Sequence, residues 1–144
     1  MKPESLLWKR LRPFLHAARL DPVRVENPIH PGTPDVNLIS GWLELKTIEA
    51  WRPEGKITTI RHFTPQQRVW LYRRWKFAPG RTHLLLEVRA DRQLLVFDGD
   101  VAAEVVGRST VARHRVNARA VLGLDELAEL PRVIAEAVPQ REVG

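Results

Sequence analysis

Residues 32–46 contain two carboxylates and one ammonium at a spacing that could bring them together. Asp35 and Glu44 lie in two short runs of alternating polar and apolar residues, and Lys46 follows Glu44 by two positions. Two neighbouring carboxylates repel each other unless a hard cation accepts their oxygens. A nearby ammonium can stabilise developing negative charge. This set of groups is typical of metal-assisted hydrolysis of a phosphodiester.

A β-hairpin is the local structure that would bring these groups to one face. A two-residue turn at Ser40-Gly41 opposes Asn37 to Glu44. The same register opposes Asp35 to Lys46, so both pairs share one face of the sheet. The other face carries apolar residues that are expected to enter the core: Val36, Leu38, Leu43 and Leu45. The alternative interpretation of the polar face is that it is merely solvated.

The hairpin carries a family resemblance. Pro34-Asp35, followed after eight residues by Glu44-Leu45-Lys46, resembles the signature of the PD-(D/E)xK nucleases, and so does the run Gly32-x-Pro-Asp-Val. The resemblance implies a restriction-endonuclease-like fold that binds Mg²⁺, with Mn²⁺ as a possible substitute. The implied metal ligands are Asp35, Glu44 and the Leu45 carbonyl. Lys46 would orient or activate the attacking water.

A helix is predicted upstream, over residues 4–19, from apolar residues at helical spacing. Pro13 is expected to kink this helix or to split it. Glu4, in its first turn, has a structural explanation in the helix dipole. In nucleases that resemble Holliday-junction resolvases the first helix supplies a metal-binding glutamate, which makes Glu4 a further candidate ligand.

A second helix is predicted to start at Thr64-Pro65-Gln66-Gln67 and to end near Phe77. Threonine suits the N-cap, proline the first helical position, and Gln67 completes a capping box. This start also resembles that of phage and VRR-type nucleases, whose glutamine joins the active site. Gln67 is therefore a candidate for both a capping and a catalytic role.

The remaining elements complete a predicted α/β fold with a mixed central sheet flanked by helices, in a single domain over residues 1–144. The order of elements over roughly residues 4–97 is similar to the α-β-β-β-α-β core of the PD-(D/E)xK family. The predicted segments are strands at 23–27, 81–88 and 93–97, a short helix at 101–106, an unassigned basic stretch at 108–121, and a helix over 125–138 broken by Pro131.

Composition restricts the possible functions. The chain has 144 residues, no cysteine and a formal net charge of +6. Disulfides, thiolate zinc sites and cysteine nucleophiles are thus excluded. A basic excess is typical of nucleic-acid binding, although an arginine-rich composition alone is the simpler alternative. The sequence has no apolar run near the roughly 20 residues that span a bilayer and no signal-peptide pattern, which predicts a cytoplasmic location in a bacterial, archaeal or phage-infected cell.

Basic residues outside the hairpin are candidate contacts to a nucleic-acid backbone. They occur near the first strand, in the loops before and after the hairpin, and on the second helix, where aromatic residues alternate with arginines. The candidates are Arg24, His30, Lys56, Arg61, Arg68, Arg73 and Arg74.

The resemblance implies a metal-dependent, structure-selective DNA endonuclease. Within the family, the chain is most similar to archaeal-type Holliday-junction resolvases, which act as homodimers and cut two opposed strands of a four-way junction. The alternatives are a flap or single-strand nuclease of the VRR type involved in phage replication or repair, and a non-catalytic DNA-binding protein on the same fold.

Overall fold

A computed structural model describes residues 2–25, 32 and 34–136. Six strands form one sheet in the order of the sequence. The strands are β1 (Val23–Arg24), β2 (Val36–Leu38), β3 (Gly41–Ile48), β4 (Thr82–Val88), β5 (Gln93–Asp98) and β6 (Ala120–Gly123). The helices are α1 (Pro3–Ala17), α2 (Pro65–Phe77), α3 (Gly99–Val105), α4 (Val111–Asn117) and α5 (Leu130–Ala135), with a 3₁₀ turn at Leu127–Glu129.

The sheet is mixed. β3 and β4 pair in parallel, and the other neighbouring strands pair antiparallel. Every residue of β4 is buried, as expected for a central strand covered on both faces. The prediction of an α/β fold with a mixed central sheet and flanking helices is confirmed.

Two apolar clusters cover the two faces of the sheet. One joins Leu7, Leu11 and Leu15 of α1 to the hairpin and the C-terminal helix, and it includes all four apolar hairpin residues predicted to enter the core. The other packs Leu71 of α2 against β4, β5 and α3. The polar face of the hairpin lies on the side of this second cluster, because Lys46 Nζ is 5.8 Å from the centre of the Phe63 ring.

The predicted register of the hairpin is wrong by two residues. Asn37 pairs with Trp42 and not with Glu44, and the turn residues are Ile39 and Ser40. Gly41 is the cause, because a Cβ atom built there would lie 1.8 Å from the carbonyl oxygen of Arg81. The glycine is needed for this close approach and not for the turn. A shift of two residues leaves each side chain on its predicted face.

Three further predictions concern the proline residues and the C-terminal half of the chain. Pro13 lies inside α1 and does not split it, whereas a kink at this position stays a prediction. Pro131 does not break a helix, because it lies in the first turn of α5, where its missing N–H is harmless. The basic stretch at 108–121, for which the sequence predicts no element, forms α4 and the start of β6. β6 is an edge strand of the sheet.

The start of α2 is as predicted. Thr64 is the N-cap, its hydroxyl accepts from the backbone N–H of Gln67, and the Gln67 side chain accepts from the N–H of Thr64. This capping box fixes the place where the chain leaves its loop and enters the helix. Gln67 is thereby held at the end of α2 that faces the hairpin. None of the helices within the described ranges is long and apolar enough to cross a membrane.

Candidate active site

A cleft of about 650 Å³ lies where the first turn of α1, the hairpin and the start of α2 meet. Four of the predicted site residues line it together, although they come from three distant parts of the chain. The lining residues are Lys2, Pro3, Glu4, Asp35, Lys46, Thr47, His62 and Gln67. The fold thus brings Glu4, Asp35, Lys46 and Gln67 to one cavity.

Glu44 lies beneath this cleft and is fully buried. Burial and the neighbouring Asp35 carboxylate raise the pKa of the Glu44 carboxyl well above its usual value, and Lys46 only partly offsets this. Oε1 of Glu44 forms an ion pair with the Lys46 ammonium at 3.3 Å, but neither carboxylate oxygen makes a well-aligned hydrogen bond within the described part of the chain. A buried carboxylate without such partners is costly, so Glu44 is the residue of the site whose charge is least compensated.

Lys46 is also buried, and its ammonium connects the hairpin to the loop before α2. Its Nζ donates to the carbonyl oxygen of His62 over 2.6 Å and lies 3.3 Å from Oε1 of Glu44. An ammonium has three N–H donors. The contacts to His62 and Glu44 leave a donor for a group bound in the cleft.

Asp35 is held at the end of β2 by the next strand. Its Oδ2 accepts from the backbone N–H of Leu45 over 2.8 Å, and its Oδ1 lies 4.0 Å from Nη2 of Arg24. The Leu45 side chain is fully buried in the first cluster, so only backbone atoms of this residue can serve the site. The contact that the structure shows for Leu45 is through its N–H, whereas the expected metal ligand is its carbonyl.

The acidic residues do not form a complete metal-binding group by themselves. Among the residues that the structure describes, no three histidine, cysteine, aspartate or glutamate side chains are grouped so as to hold a metal ion. Glu4 is half-buried and lines the cleft, but it does not close such a group with Asp35 and Glu44. A Mg²⁺ ion, however, typically uses one or two carboxylates and completes its shell with water and phosphate oxygens. The unpartnered oxygens of Glu44 beside Asp35 fit that donor set.

Gln67 combines the two roles for which it is a candidate. Its Oε1 accepts from the N–H of Thr64 over 2.9 Å as part of the capping box. The same side chain lines the cleft and is half-buried there. The capping bond therefore also fixes the direction from which Gln67 faces the cleft.

Arg68, one of the predicted contacts to a nucleic-acid backbone, does not lie where it could reach one. It is buried, its guanidinium lies 4.1 Å from the Phe63 ring centre, and its Nη1 donates to the carbonyl of Ala103. Burial, with a smaller contribution from Arg108, lowers the pKa of Arg68 to about 10. Arg68 holds α2 against α3 and is not presented on the surface.

The other predicted cations have mixed positions. Arg24 is half-buried near Asp35, whereas four are exposed: Lys56, Arg61, Arg73 and Arg74. His30 lies outside the described residues. Arg73 and Arg74 line a separate hollow on α2 and not the cleft.

Lys2 and His62 also line the cleft, yet neither is among the predicted site residues. His62 contributes its backbone carbonyl to Lys46, a role that no residue type can signal. The one local clue is its position two residues before the N-cap of α2, where the chain must approach the hairpin. Lys2 has no such clue, because only the packing of α1 brings it to the cleft.

No protein-family model, no curated protein and no solved structure matches this chain.

Proposed function

We propose that this protein is a metal-dependent, structure-selective DNA endonuclease with a PD-(D/E)xK, or restriction-endonuclease-like, arrangement of its core. The observation that carries the proposal is the buried Glu44 carboxylate, whose oxygens lack hydrogen-bond partners in the described chain. It lies beside Asp35 and 3.3 Å from the Lys46 ammonium, beneath a cleft large enough for a phosphodiester. A solvated polar face would not require burial of Glu44 and Lys46.

A Mg²⁺ ion held by Asp35 and Glu44 would supply Lewis-acid chemistry, polarising the phosphate and lowering the pKa of a bound water. Mn²⁺ can occupy a site of the same oxygen ligands. The Leu45 carbonyl and Glu4 are further proposed ligands that would complete the set from the adjacent backbone and from the first turn of α1.

The chain's own residues have separate tasks in this proposal. Lys46 orients the attacking water and neutralises the negative charge that develops on the phosphate. The carbonyl of His62 fixes the Lys46 ammonium in place for this purpose, because it accepts one of its hydrogens over 2.6 Å. Gln67 donates through its amide nitrogen to the water or the phosphate while its oxygen remains in the capping box.

DNA is the proposed substrate because the protein has a net charge of +6 and Lys2 is exposed at the cleft. Four-way junctions, cut by a homodimer in a paired manner, follow from the likeness to resolvases. Flap or single-strand cleavage is the second candidate. It is favoured by a specific observation, the exposed aromatic and basic face of α2.

The test is an incubation of the protein with Mg²⁺ and end-labelled four-way junction, flap and linear duplex DNA. The active-site variant is Lys46→Met, which keeps the length of the side chain but removes its charge, and the matched control is Lys9→Met on the exposed side of α1. Binding is measured in parallel by fluorescence anisotropy. Loss of Lys46 is expected to reduce cutting by about 10²–10³-fold, as for other transition-state donors.

Symmetric paired nicks in the junction alone would support a resolvase, and cuts at the flap would support the second candidate. In either case Lys46→Met is expected to bind DNA and to lose cutting, while Lys9→Met cuts normally. Absence of Mg²⁺-dependent cutting of every substrate would overturn the proposal in favour of a non-catalytic DNA-binding protein.

A further inference from the structure

α2 exposes more large apolar surface than a helix packed on a sheet requires. Its residues Val69, Tyr72 and Phe77 are 58%, 41% and 82% exposed. Phe77 is the last residue of the helix and has almost no protein around its ring. An exposed ring of this size is unfavourable in water unless a partner covers it.

The aromatic rings of α2 alternate with cations. Tyr72 and Phe77 are exposed, whereas Trp70 is half-buried, packed against the second cluster and edge-on to Trp42 with 5.6 Å between ring centres. Arg73, Arg74 and Lys76 are exposed on the same helix, and α2 contains no acidic residue. The guanidinium of Arg74 lies 4.7 Å from the ring centre of Trp70, and Lys76 Nζ lies 5.4 Å from that of Tyr72. A surface of this composition attracts a polyanion that also has flat apolar groups.

Trp70, Arg73, Arg74 and Phe77 recur at helical spacing and line a hollow of about 280 Å³. We call these four residues the α2 stripe. Trp70 and Phe77 are seven residues apart, so they lie about 10 Å apart along the helix axis. This distance is about three times the 3.4 Å spacing of stacked bases along one strand.

The α2 stripe extends towards the end of α2 that borders the candidate active site. A second hollow of about 380 Å³ shares Trp70 and Arg73 with the stripe and extends to Pro65 and Gln66. The next residue, Gln67, lines the cleft. A strand that follows α2 from Phe77 towards its N-terminus is therefore led to Lys46 and Asp35.

A third hollow continues the surface at the other end. It is lined by the hairpin turn and by Arg74 and Arg81, and its wall includes Ile39, which is 74% exposed. No acidic residue lines any of these three hollows within the described part of the chain. The surface thus combines cations with apolar and neutral polar groups.

We propose that the α2 stripe binds a single-stranded segment of nucleic acid, with bases stacked on Phe77 and Trp70 and phosphates bound by Arg73 and Arg74. Single strands fit because their base faces are free to stack, whereas a duplex hides those faces within its own stack. This inference rests on the proposed nuclease function only for its consequence, that the bound strand leads into the cleft. The substrate class is then a branched DNA with a single-stranded arm.

The binding test uses the full chain in the presence of a chelator, so that no cutting occurs. A fluorescein-labelled oligothymidine and a duplex of the same length are titrated with wild type, Phe77→Ala and Arg74→Ala, and affinity is read from anisotropy. The matched controls are Val116→Ala and Arg113→Ala on α4, whose side chains are also exposed. Because Phe77 is nearly free of protein contacts, its variant is expected to fold, which circular dichroism checks.

Wild type is expected to bind oligothymidine more tightly than duplex, and Phe77→Ala to weaken single-strand binding by at least about fivefold. Unchanged single-strand affinity in both stripe variants would overturn the inference. So would a change in self-association of Phe77→Ala, seen by sedimentation, with DNA binding unaltered, because the stripe would then be an interface between two copies of the chain.

The outcome is separable from that of the proposed nuclease function. If Phe77→Ala cuts labelled DNA with Mg²⁺ and binds single strands like wild type, only the stripe assignment fails. If Phe77 is required for single-strand binding but no substrate is cut by wild type, only the nuclease proposal fails.

Discussion

Glu44 is the residue whose environment differs most from what its charge requires. Its carboxylate is fully buried beside a second carboxylate, and a single ammonium compensates it. Such an arrangement destabilises the fold and is typical of a functional site. A bound cation would coordinate the Glu44 oxygens and offset the free-energy cost of burying this carboxylate.

Replacing Glu44 by glutamine is therefore expected to stabilise the protein in the absence of metal. The raised pKa means that the stability associated with Glu44 is fully present below the usual glutamate pKa and is lost as pH rises through the raised value. At neutral pH Glu44→Gln should unfold at least about 2–4 °C higher than wild type, the shift that corresponds to about 1 kcal/mol for a chain of this size. Thermal melts across pH measure this.

Addition of Mg²⁺ or Mn²⁺ should raise the melting temperature of wild type above that of Glu44→Gln. Wild type gains stability by mass action when its folded state binds the ion, and Glu44→Gln should gain little. The matched control is Glu54→Gln in an exposed loop, which should follow wild type with and without metal. A lower melting temperature of Glu44→Gln in a chelator would contradict the assignment of Glu44 as an uncompensated charge.

His83 is a second buried titratable group, remote from the cleft. Burial is the main cause that lowers the pKa of His83 to about 4, with Arg119 adding to it and Asp98 opposing it. A lowered pKa means stability that is present above about pH 6.5 and is lost as pH falls through about pH 4. The shift corresponds to about 3 kcal/mol.

His83→Gln should therefore lose less stability than wild type between neutral pH and about pH 4. The measurement is the free energy of unfolding in urea at a series of pH values. His16→Gln, on the exposed side of α1, serves as the control and should keep the wild-type pH dependence. Parallel curves for wild type and His83→Gln would show that acid unfolding has another cause.

At the scale of elements, the start of α2 positions Gln67 through a local rule. The capping box was predictable from Thr64-Pro65-Gln66-Gln67, because all its bonds join residues that are close in sequence. The register of the hairpin was not, because the carbonyl of Arg81 selects it from 40 positions away. The apolar face of the hairpin was predictable from alternation, and the strand at 81–88 from its continuous apolar run.

The candidate site also combines residues that local sequence predicts with residues that only tertiary packing brings there. Asp35, Glu44 and Lys46 are signalled by alternation within one short segment, whereas the positions of Lys2 and His62 depend on how α1 and the loop before α2 pack. The burial of Arg68 also depends on packing between elements that are distant in sequence. Its side chain is buried because α3 covers that side of α2, and no property of α2 itself predicts the cover.

The two roles of Gln67 can be separated by two variants. Gln67→Glu preserves the capping box, since glutamate is equally suited to this position, but places a negative charge in the cleft. Thr64→Ala removes the cap and leaves Gln67 in place. We expect Thr64→Ala to cost about 1 kcal/mol of stability with modest effect on cutting, and Gln67→Glu to retain stability and reduce cutting. Urea unfolding and single-turnover cutting rates measure the two effects.

Equal cutting rates for Gln67→Glu and wild type would restrict Gln67 to its capping role. Ala112→Glu on the exposed side of α4 is the matched control, because it adds the same charge away from the cleft and from the hollows along α2. It should leave the cap intact.

At the scale of the whole molecule, the net charge of +6 acts through the cations that remain exposed. Each phosphate neutralised on a single strand contributes about 0.7 to the slope of log affinity against log salt concentration. Arg73→Ala and Arg74→Ala should each reduce the slope for oligothymidine by about this amount. Arg68→Ala should leave the slope unchanged and lower the stability, because its guanidinium is engaged inside the fold. The assignment of Arg73 and Arg74 to DNA binding and of Arg68 to the fold would be contradicted by a reduced slope for Arg68→Ala. An unchanged slope for both Arg73→Ala and Arg74→Ala would contradict it too.

The central claim, that Asp35 and Glu44 hold a metal for phosphodiester hydrolysis beside Lys46, is tested most directly by Asp35→Asn. Asparagine keeps an oxygen that can accept from the N–H of Leu45, so the fold is retained while the charge is lost. The measurement is the single-turnover rate of Mg²⁺-dependent DNA cutting, with Asp125→Asn on the exposed surface as the control. We predict cutting by wild type and Asp125→Asn, and loss of cutting with retained DNA binding in Asp35→Asn. Undiminished cutting by Asp35→Asn would contradict the account.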